Sequence, residues 1–220
     1  AALRFDAAEF GSTQLGFITE NVLIQDALLQ VLDDMSVSLQ FDTRIESLPD
    51  ADLVIGADGA RSKVRDLAAI KTNRWPYQQT ALVTHLEAEY AHAATAWQRF
   101  MKQGPLGMLP LADGRISVVW STTPEIAEHA LQASDKDLGE MLSEASDGVL
   151  GALRVAGPKG AFPLAAQHAE NYVLPRVALV GDAAHAIHPL AGQGANLGLQ
   201  DTAELAEVID TAIGAGLHPG

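Results

Sequence analysis

Asp182 stands directly behind a short apolar run, Val177 to Val180, and ahead of a stretch carrying Gly192, Gly194 and Gly198. A run of that length has the signature of a buried strand. Gly181-Asp182 closes it and sets a carboxylate at the strand's C-terminal edge. The glycine-rich loop then opens a long amphipathic segment. Backbone N–H groups at Gly194, Ala195 and Asn196 are there free to meet an electron-rich ligand. Strand ends followed by helix starts are where open α/β sheets bind ligands. The alternative for Asp182 is a helix or loop cap, and the same holds for Asn196 and Asp201. His185 and His188 lie three apart but straddle a loop with no third ligand, so no metal site is expected.

A second candidate is Ala51 to Ala68, ADLVIGADGARSKVRDLA. Leu53-Val54-Ile55 is a short strand that ends in Gly56-Ala57-Asp58-Gly59, and Gly59 permits a tight turn. A helix follows from about Ser62 to Ala69. Arg61 and Arg65 put fixed positive charge near its start, where a pyrophosphate could lie. The alternative is a solvated Asp-Gly turn with two helix-face arginines.

These residues carry a resemblance. The segment from Gly181 is similar to the flavin-contacting GD motif of aromatic-ring monooxygenases that use FAD and NAD(P)H. His188 to Asp201, HPLAGQGANLGLQD, resembles the narrower signature of the ubiquinone-biosynthesis hydroxylases, the UbiH, UbiF and VisC group. Asp58, Gly59, Ser62, Val64 and Arg65 match the family's DG motif. The resemblance implies FAD contacts at Asp58, Gly59, Arg61, Ser62, Arg65, Gly181, Asp182, Pro189, Gly192, Gln193, Gly194, Ala195 and Asn196. Asp182 would accept from a ribityl hydroxyl, and Pro189 would shape the backbone against the flavin. No side chain stands out as an acid–base catalyst, so Pro189 is the only catalytic element, through its backbone alone.

The segments around Thr95 to Phe100, Gly104 to Leu111 and Val119 to Ser121 are also similar to that group. Trp97, Phe100 and Trp120 would then line an apolar pocket for the aromatic substrate; the alternative is ordinary core of a curved sheet. The implied reaction is hydroxylation of a polyprenyl phenol with dioxygen, using FAD reduced by NAD(P)H. Family members open with a GxGxxG unit that binds the ADP part of FAD, and no such unit occurs here. On the resemblance, these residues are the middle and late part of a longer, N-terminally truncated protein. FAD is then expected to be absent from this chain, and the chain inactive alone. Two other readings are a flavin-free domain binding an apolar aromatic ligand or a partner subunit, and a related flavoprotein such as a halogenase or prenyl-lipid reductase.

The elements that must position these groups follow from periodicity. Ile24, Ala27, Leu28, Val31 and Leu32 make one apolar face of a helix over 19–34, capped by Thr19 or Asn21. Val37 to Phe41 alternates like a strand. Ala81 to Ala88, Ala96 to Met101, Leu106 to Leu111 and Ile116 to Ser121 read as strands, with Asp113-Gly114 a hairpin turn. Pro124 to Gln132 and Asp135 to Ala145 read as helices, Gly157 to Gly160 as a loop, and 194–213 as the last helix. The fold class is α/β with an α+β insert. With the resemblance, this implies a partial FAD-binding, Rossmann-like domain (1–70 and 169–220) interrupted by a substrate domain (71–168) with a mainly antiparallel sheet and helices. The strands at 53–55 and 177–180 should share one sheet.

Bulk properties bound the rest. Apolar content of 48% over 220 residues suffices for a globular core. A formal net charge of −14 argues against nucleic acid and against electrostatic docking on anionic lipid. There is no cysteine, hence no disulfide or thiolate chemistry. No apolar run reaches the roughly 20 residues of a spanning helix. The expected location is cytoplasmic, with peripheral membrane or multi-enzyme association consistent with a lipid-tailed substrate.

Overall fold

The computed structural model describes residues 3–218 and 220. Helix α1 (Asn21–Asp34) is followed by strand β1 (Val54–Gly56) and the short helix α2 (Lys63–Leu67). Then come β2 (Thr72–Ala88), β3 (Trp97–Met101), β4 (Gly104–Pro110), β5 (Ile116–Thr122), α3 (Pro124–Gln132) and α4 (Asp135–Ala145). Strands β6 (Leu153–Val155), β7 (Gly160–Ala169), β8 (Val173–Leu174), β9 (Val177–Leu179) and β10 (His185–Ala186) lead to α5 (Gln193–Gly214).

Two sheets organise these elements. In the smaller, β1 and β9 pair in parallel, Val54 opposite Val177 and Gly56 opposite Leu179, and β8 adds antiparallel to β9. The expectation that the two motif-bearing strands share a sheet is borne out. Beneath them lies a compact core of Val64, Ile70, Ala169, Val177, Leu179, Ala183 and Ala184. The larger sheet is antiparallel in the order β10-β7-β2-β5-β4-β3, with β6 on the far end of β2. Helices α3 and α4 cover one face of it. Thr123 caps α3 by accepting from the Ile126 amide, and Ser134 caps α4 by accepting from that of Asp137.

Strand register assigns the two faces of the larger sheet, because paired residues share a face and neighbours alternate. Leu82, Trp120, Leu106 and Arg99 form one row. Leu82, Leu106 and Trp120 pack with Ala130 of α3 and with Leu138 and Leu142 of α4. Each fully buried Leu there contributes about 1.5–3 kcal/mol. On the same face, Arg99 donates to the carbonyls of Glu144 and Ala145 at the end of α4. The adjacent row is Phe162, Ala81 and Ser121, with Phe100 beyond on β3. It belongs to the opposite face, where Phe162 and Phe100 are exposed.

The structure departs from the sequence expectations in four places. Val37 to Phe41 forms no strand; its alternation finds no neighbour to pair with, and Val37, Leu39 and Phe41 are exposed. The apolar stripe of α1 likewise buries no residue, and Glu20 rather than Thr19 or Asn21 occupies its N-cap, with no side-chain cap bond. β2 begins at Thr72, nine residues before the expected Ala81. Pro76 is tolerated in it because β5 pairs only Thr80 to Leu86, which leaves one edge free around Pro76. β7 is an unexpected strand: its GAFPLAAQHA run lacks β-branched residues and is held by pairing with β2 along its length.

Candidate functional site

The parallel register of β1 and β9 brings the Asp58-Gly59 and Gly181-Asp182 turns to one edge of the small sheet. Val180 N–H donates to Gly56 O at 3.0 Å, so the two chains leave their strands side by side. Two long polar side chains then lock the turns together. Arg65 is 5% exposed and donates to Ala183 O at 2.9 Å and to Ala60 O at 3.1 Å. Gln167, from β7, donates to the same Ala60 O at 3.1 Å and to Asp182 O at 3.5 Å.

Local polar groups finish the first turn. Asp58 Oδ2 accepts from the Lys63 amide at 2.6 Å and the Val64 amide at 3.1 Å, and Ser62 Oγ accepts from the Arg65 amide at 3.0 Å. Burial raises the Asp58 carboxyl pKa, but the hydrogen bonds from Ser62, Val64 and Lys63 outweigh it and hold it below its ordinary value. Arg61 is exposed and lines a cleft of about 500 Å³ together with Arg44, Lys63 and Asp58.

The second turn is tied to α5. Asp201 Oδ2 accepts from Gly181 N–H at 2.8 Å and from His185 Nε2 at 2.6 Å. Gly181 has φ +57, and Gly198 packs so close that a Cβ on it would stand 3.1 Å from Gly181 Cα. Only glycine at both positions lets the helix touch the turn. Tyr172 stacks obliquely on His185 at 5.7 Å, and burial, with the Asp201 charge, pushes its phenol pKa up. The Asp182 carboxylate is exposed and makes no hydrogen bond among the described residues. Helix α5 starts behind Gly192, a left-handed N-cap with no side-chain cap bond, so its first-turn N–H groups remain open.

Beyond the second turn the chain crosses to the large sheet. His188 Nε2 lies 3.0 Å from Gln79 Oε1, and Gln79 Nε2 donates to Gln103 O at 3.1 Å, in the turn between β3 and β4. Gln79 is paired with Leu164 two residues along β2 from Ala81, which puts it on the face opposite the helices. The loop after Gly181-Asp182 therefore reaches the same side of the sheet as Phe100 and Phe162. A family model described as FAD binding domain matches residues 2–215.

The chain belongs to this FAD-binding family.

Its curated relatives include proteins named for the hydroxylation and biosynthesis of ubiquinone. The chain is 37% identical to the 3-demethoxyubiquinol 3-hydroxylase of Escherichia coli K12, over 94% of this chain and 57% of that protein. It is 38% identical to the ubiquinone hydroxylase UbiL of Rhodospirillum rubrum, over 94% of this chain and 48% of that one. Among solved structures it is similar to a substituted variant of PqsL from P. aeruginosa, with TM-score 0.71 and 26% identity over 88% of this chain and 60% of that one. The chain spans about half the length of the curated relatives it matches.

Seen as a member of the FAD-binding family, the chain sorts its expected contact residues into two groups. Asp182, Gly192, Gln193, Gly194, Ala195 and Asn196 gather at the turn and at the open start of α5, and Pro189 lies in the loop between them. Ser62 and Arg65 do not offer themselves to a ligand. Both are buried, Ser62 spends its hydroxyl on capping α2, and the Arg65 guanidinium faces carbonyls of the two turns. This corrects the reading of Arg65 as free charge at a helix start: Arg65 is on the buried side of α2 with Val64, and the carbonyls of Ala60 and Ala183 take its guanidinium.

The three aromatic residues also separate. Trp120 is 7% exposed in the core under α3 and α4. Trp97 pairs with Met108 on that same face, and only Phe100 belongs to the other. Grouping them as one pocket lining fails because strand neighbours alternate. Sequence reasoning did not single out Gln79 and Gln167; both are lone polar residues in strands, and nothing local marks them.

Proposed function

We propose that this chain is the flavin- and substrate-contacting part of an FAD- and NAD(P)H-dependent monooxygenase that hydroxylates the ring of a polyprenyl phenol. One observation carries the reading: the Asp182 carboxylate, unpartnered among the described residues, lies in the turn at the end of the β1–β9 pair against which α5 packs, and the chain between that turn and the uncapped start of α5 reaches the large sheet. The chemistry fits FAD at both points. A carboxylate suits ribityl hydroxyls, and a helix N-terminus suits the electron-rich pyrimidine edge of the ring.

When bound and reduced by NAD(P)H, FAD supplies the activation of dioxygen. The chain's own residues do the positioning. Asp182 accepts from the ribityl chain, and the N–H groups from Gly194 to Asn196 stabilise negative charge on the ring. Pro189 fixes the backbone alongside, while Asp201, Arg65 and Gln167 hold both turns rigid. The face of the large sheet with Phe100 and Phe162 receives the aromatic substrate. The exposed Arg61, with Arg44 and Lys63, offers positive charge for phosphate groups. Residues 1–70 and 169–220 serve the cofactor in this reading, and 71–168 the substrate. Among the described residues no helix is long and apolar enough to cross a membrane. A cytoplasmic enzyme resting on the membrane or in a complex, close to its lipid-tailed substrate, belongs to the same proposal.

The test is FAD titration followed by flavin fluorescence. Asp182→Ala should weaken binding about tenfold to a hundredfold, the cost of one charged acceptor. Asp113→Ala, in the distant hairpin, should leave it unchanged. Parental affinity in Asp182→Ala would refute the assignment of the turn to the cofactor.

A further inference from the structure

The chain between β10 and α5, residues 187–192, is fixed at its two ends. β10 pairs with β7, and Asp201 of α5 accepts from Gly181 and His185. Between those ends it has little to hold it. None of its described side chains is buried, and Ile187 and Leu190 are 38% and 39% exposed. Among the described residues its one hydrogen bond to β2 joins His188 Nε2 and Gln79 Oε1 at 3.0 Å. Tyr77 meets the same ring edge-on, with the centroids 5.0 Å apart.

The protonation of this ring follows from its neighbours. Gln79 commits its amide nitrogen to Gln103 O, so the amide oxygen faces His188 and can only accept. Nε2 therefore carries the ring proton. Nδ1 is buried and has no hydrogen-bond partner among the described residues. In the neutral ring it is a bare lone pair. In the imidazolium it is a charged N–H without an acceptor, which costs far more to bury. Burial accordingly pushes the ring's pKa down. The side chains packed on the ring bring no charge to offset this: Gln79 is an amide, and Tyr77 is a phenol, neutral throughout the acid range. Of the ionisable residues flanking the loop, His185 and Asp201 are bonded to each other at 2.6 Å, and Asp182 is exposed.

Two backbone irregularities serve the Gln79 amide. β2 slips register between Pro76 and Gln79, and Gln78 adopts φ +54, in the left-handed region that only glycine enters freely. Gly104 has φ +137, and a Cβ there would stand 2.8 Å from Gln79 Nε2 and collide with Ser121 O. The bulge and the glycine together let the amide sit between the β3–β4 turn and His188. Strain of this kind persists where the surrounding structure over-determines it, and here it fixes one acceptor oxygen in front of one histidine.

We propose that this bond seats residues 187–192 against β2, with Gln79 as the positioning residue, and that it holds only while His188 is neutral. What the seat does for function rests on the flavin reading, in which Pro189 and Gly192 of this loop lie against the cofactor; the seat itself does not. Release brings Nδ1 into water, where an imidazole takes up its proton at about pH 6.5. The released form thus binds a proton that the seated form refuses. The ratio of released to seated loop therefore rises about tenfold for each pH unit below about 6.5, and levels off once pH passes the depressed value of the seated ring. Above that range proton uptake contributes nothing and the loop stays seated. A cofactor that needs the seated loop binds less tightly in proportion to the fraction released.

The experiment follows the 15N-labelled 220-residue protein by NMR from about pH 7.5 to about pH 5. At the upper end His188 should show a protonated Nε2, a bare Nδ1 and a Tyr77–His188 ring contact, and the Leu190 and Gly192 amides should be as ordered as the sheet. Toward acid the ring contact should vanish and those two amides become mobile, while the Leu82 and Val119 amides of the sheet stay unmoved. His188→Gln keeps a donor for Gln79 without a group that titrates, so its loop should stay seated throughout. Gln79→Leu should release the loop at every pH; if it fails to fold, the contrast between the parent and His188→Gln decides. A parent loop as ordered in acid as at neutral pH overturns the proposal. So does a His188→Gln loop that loosens in acid like the parent's, or a folded Gln79→Leu with the parent's loop order. Flavin titrations of the same proteins test the reading beneath it separately: Gln79→Leu should bind FAD more weakly than the parent. Unchanged FAD affinity with a released loop would remove the loop from the cofactor site and leave the seat established.

Discussion

Replacing Arg65 with methionine tests the brace that joins the Asp58-Gly59 and Gly181-Asp182 turns. The guanidinium is 5% exposed, and its partners are the carbonyls of Ala183 and Ala60 rather than carboxylates. Hydrogen bonds to a charged group are worth roughly 1.5–3 kcal/mol each. Ala60 O keeps its bond from Gln167, so only Ala183 O loses its side-chain donor. Methionine fills most of the stem volume, and it also relieves the cost of burying a charge with no counter-charge. The expected net loss of stability is about 2–3 kcal/mol. At a urea m-value of about 2 kcal/mol/M the unfolding midpoint falls by roughly 1–1.5 M. Arg61→Met, four residues earlier and exposed, should stay within about 0.5 kcal/mol of the parent. Gln167→Leu should combine non-additively with Arg65→Met, since both donors serve Ala60 O. An Arg65→Met midpoint equal to that of the parent, or an equal loss in Arg61→Met, would refute the brace.

Two further outcomes follow from the same geometry. Gly104→Ala should cost about 3 kcal/mol or more in thermal unfolding, because a Cβ there meets Ser121 O and the backbone stands at φ +137; a melting temperature like the parent's would contradict the close approach. The His188 ring has its pKa lowered by burial, so the unfolded chain takes up a proton before the folded one does. The contribution is absent above the unfolded value of about 6.5, and stability is lost as pH falls from there through the depressed folded value. His188→Phe should flatten that part of the stability–pH curve, and an unchanged slope in urea midpoints between pH 7 and about pH 5 would count against it.

By itself the sequence determined the local devices. Val177 to Val180 with Gly181-Asp182, Leu53 to Ile55 with Asp58-Gly59, the Asp113-Gly114 hairpin and the helices α3, α4 and α5 are all readable from runs, turn residues and caps within a dozen positions. The family followed from the same short motifs. Tertiary structure decided what each side chain in those motifs faces. Arg65 and Ala183 O are remote in sequence and meet only because β1 and β9 pair in parallel. Trp97 rather than Phe100 is on the helix-covered face because the pairing of β3 through β4 to β5 settles which side α3 and α4 cover. β7 has almost no local signal and exists because β2 offers an edge to pair with. His188 and Gln79 are joined through a bulge that no spacing rule announces. The physical reason is common to all four: helix periods, caps and turns act within a few residues. Pairing register and the burial of polar side chains are instead settled between segments far apart in the chain, once loop closure has brought them together.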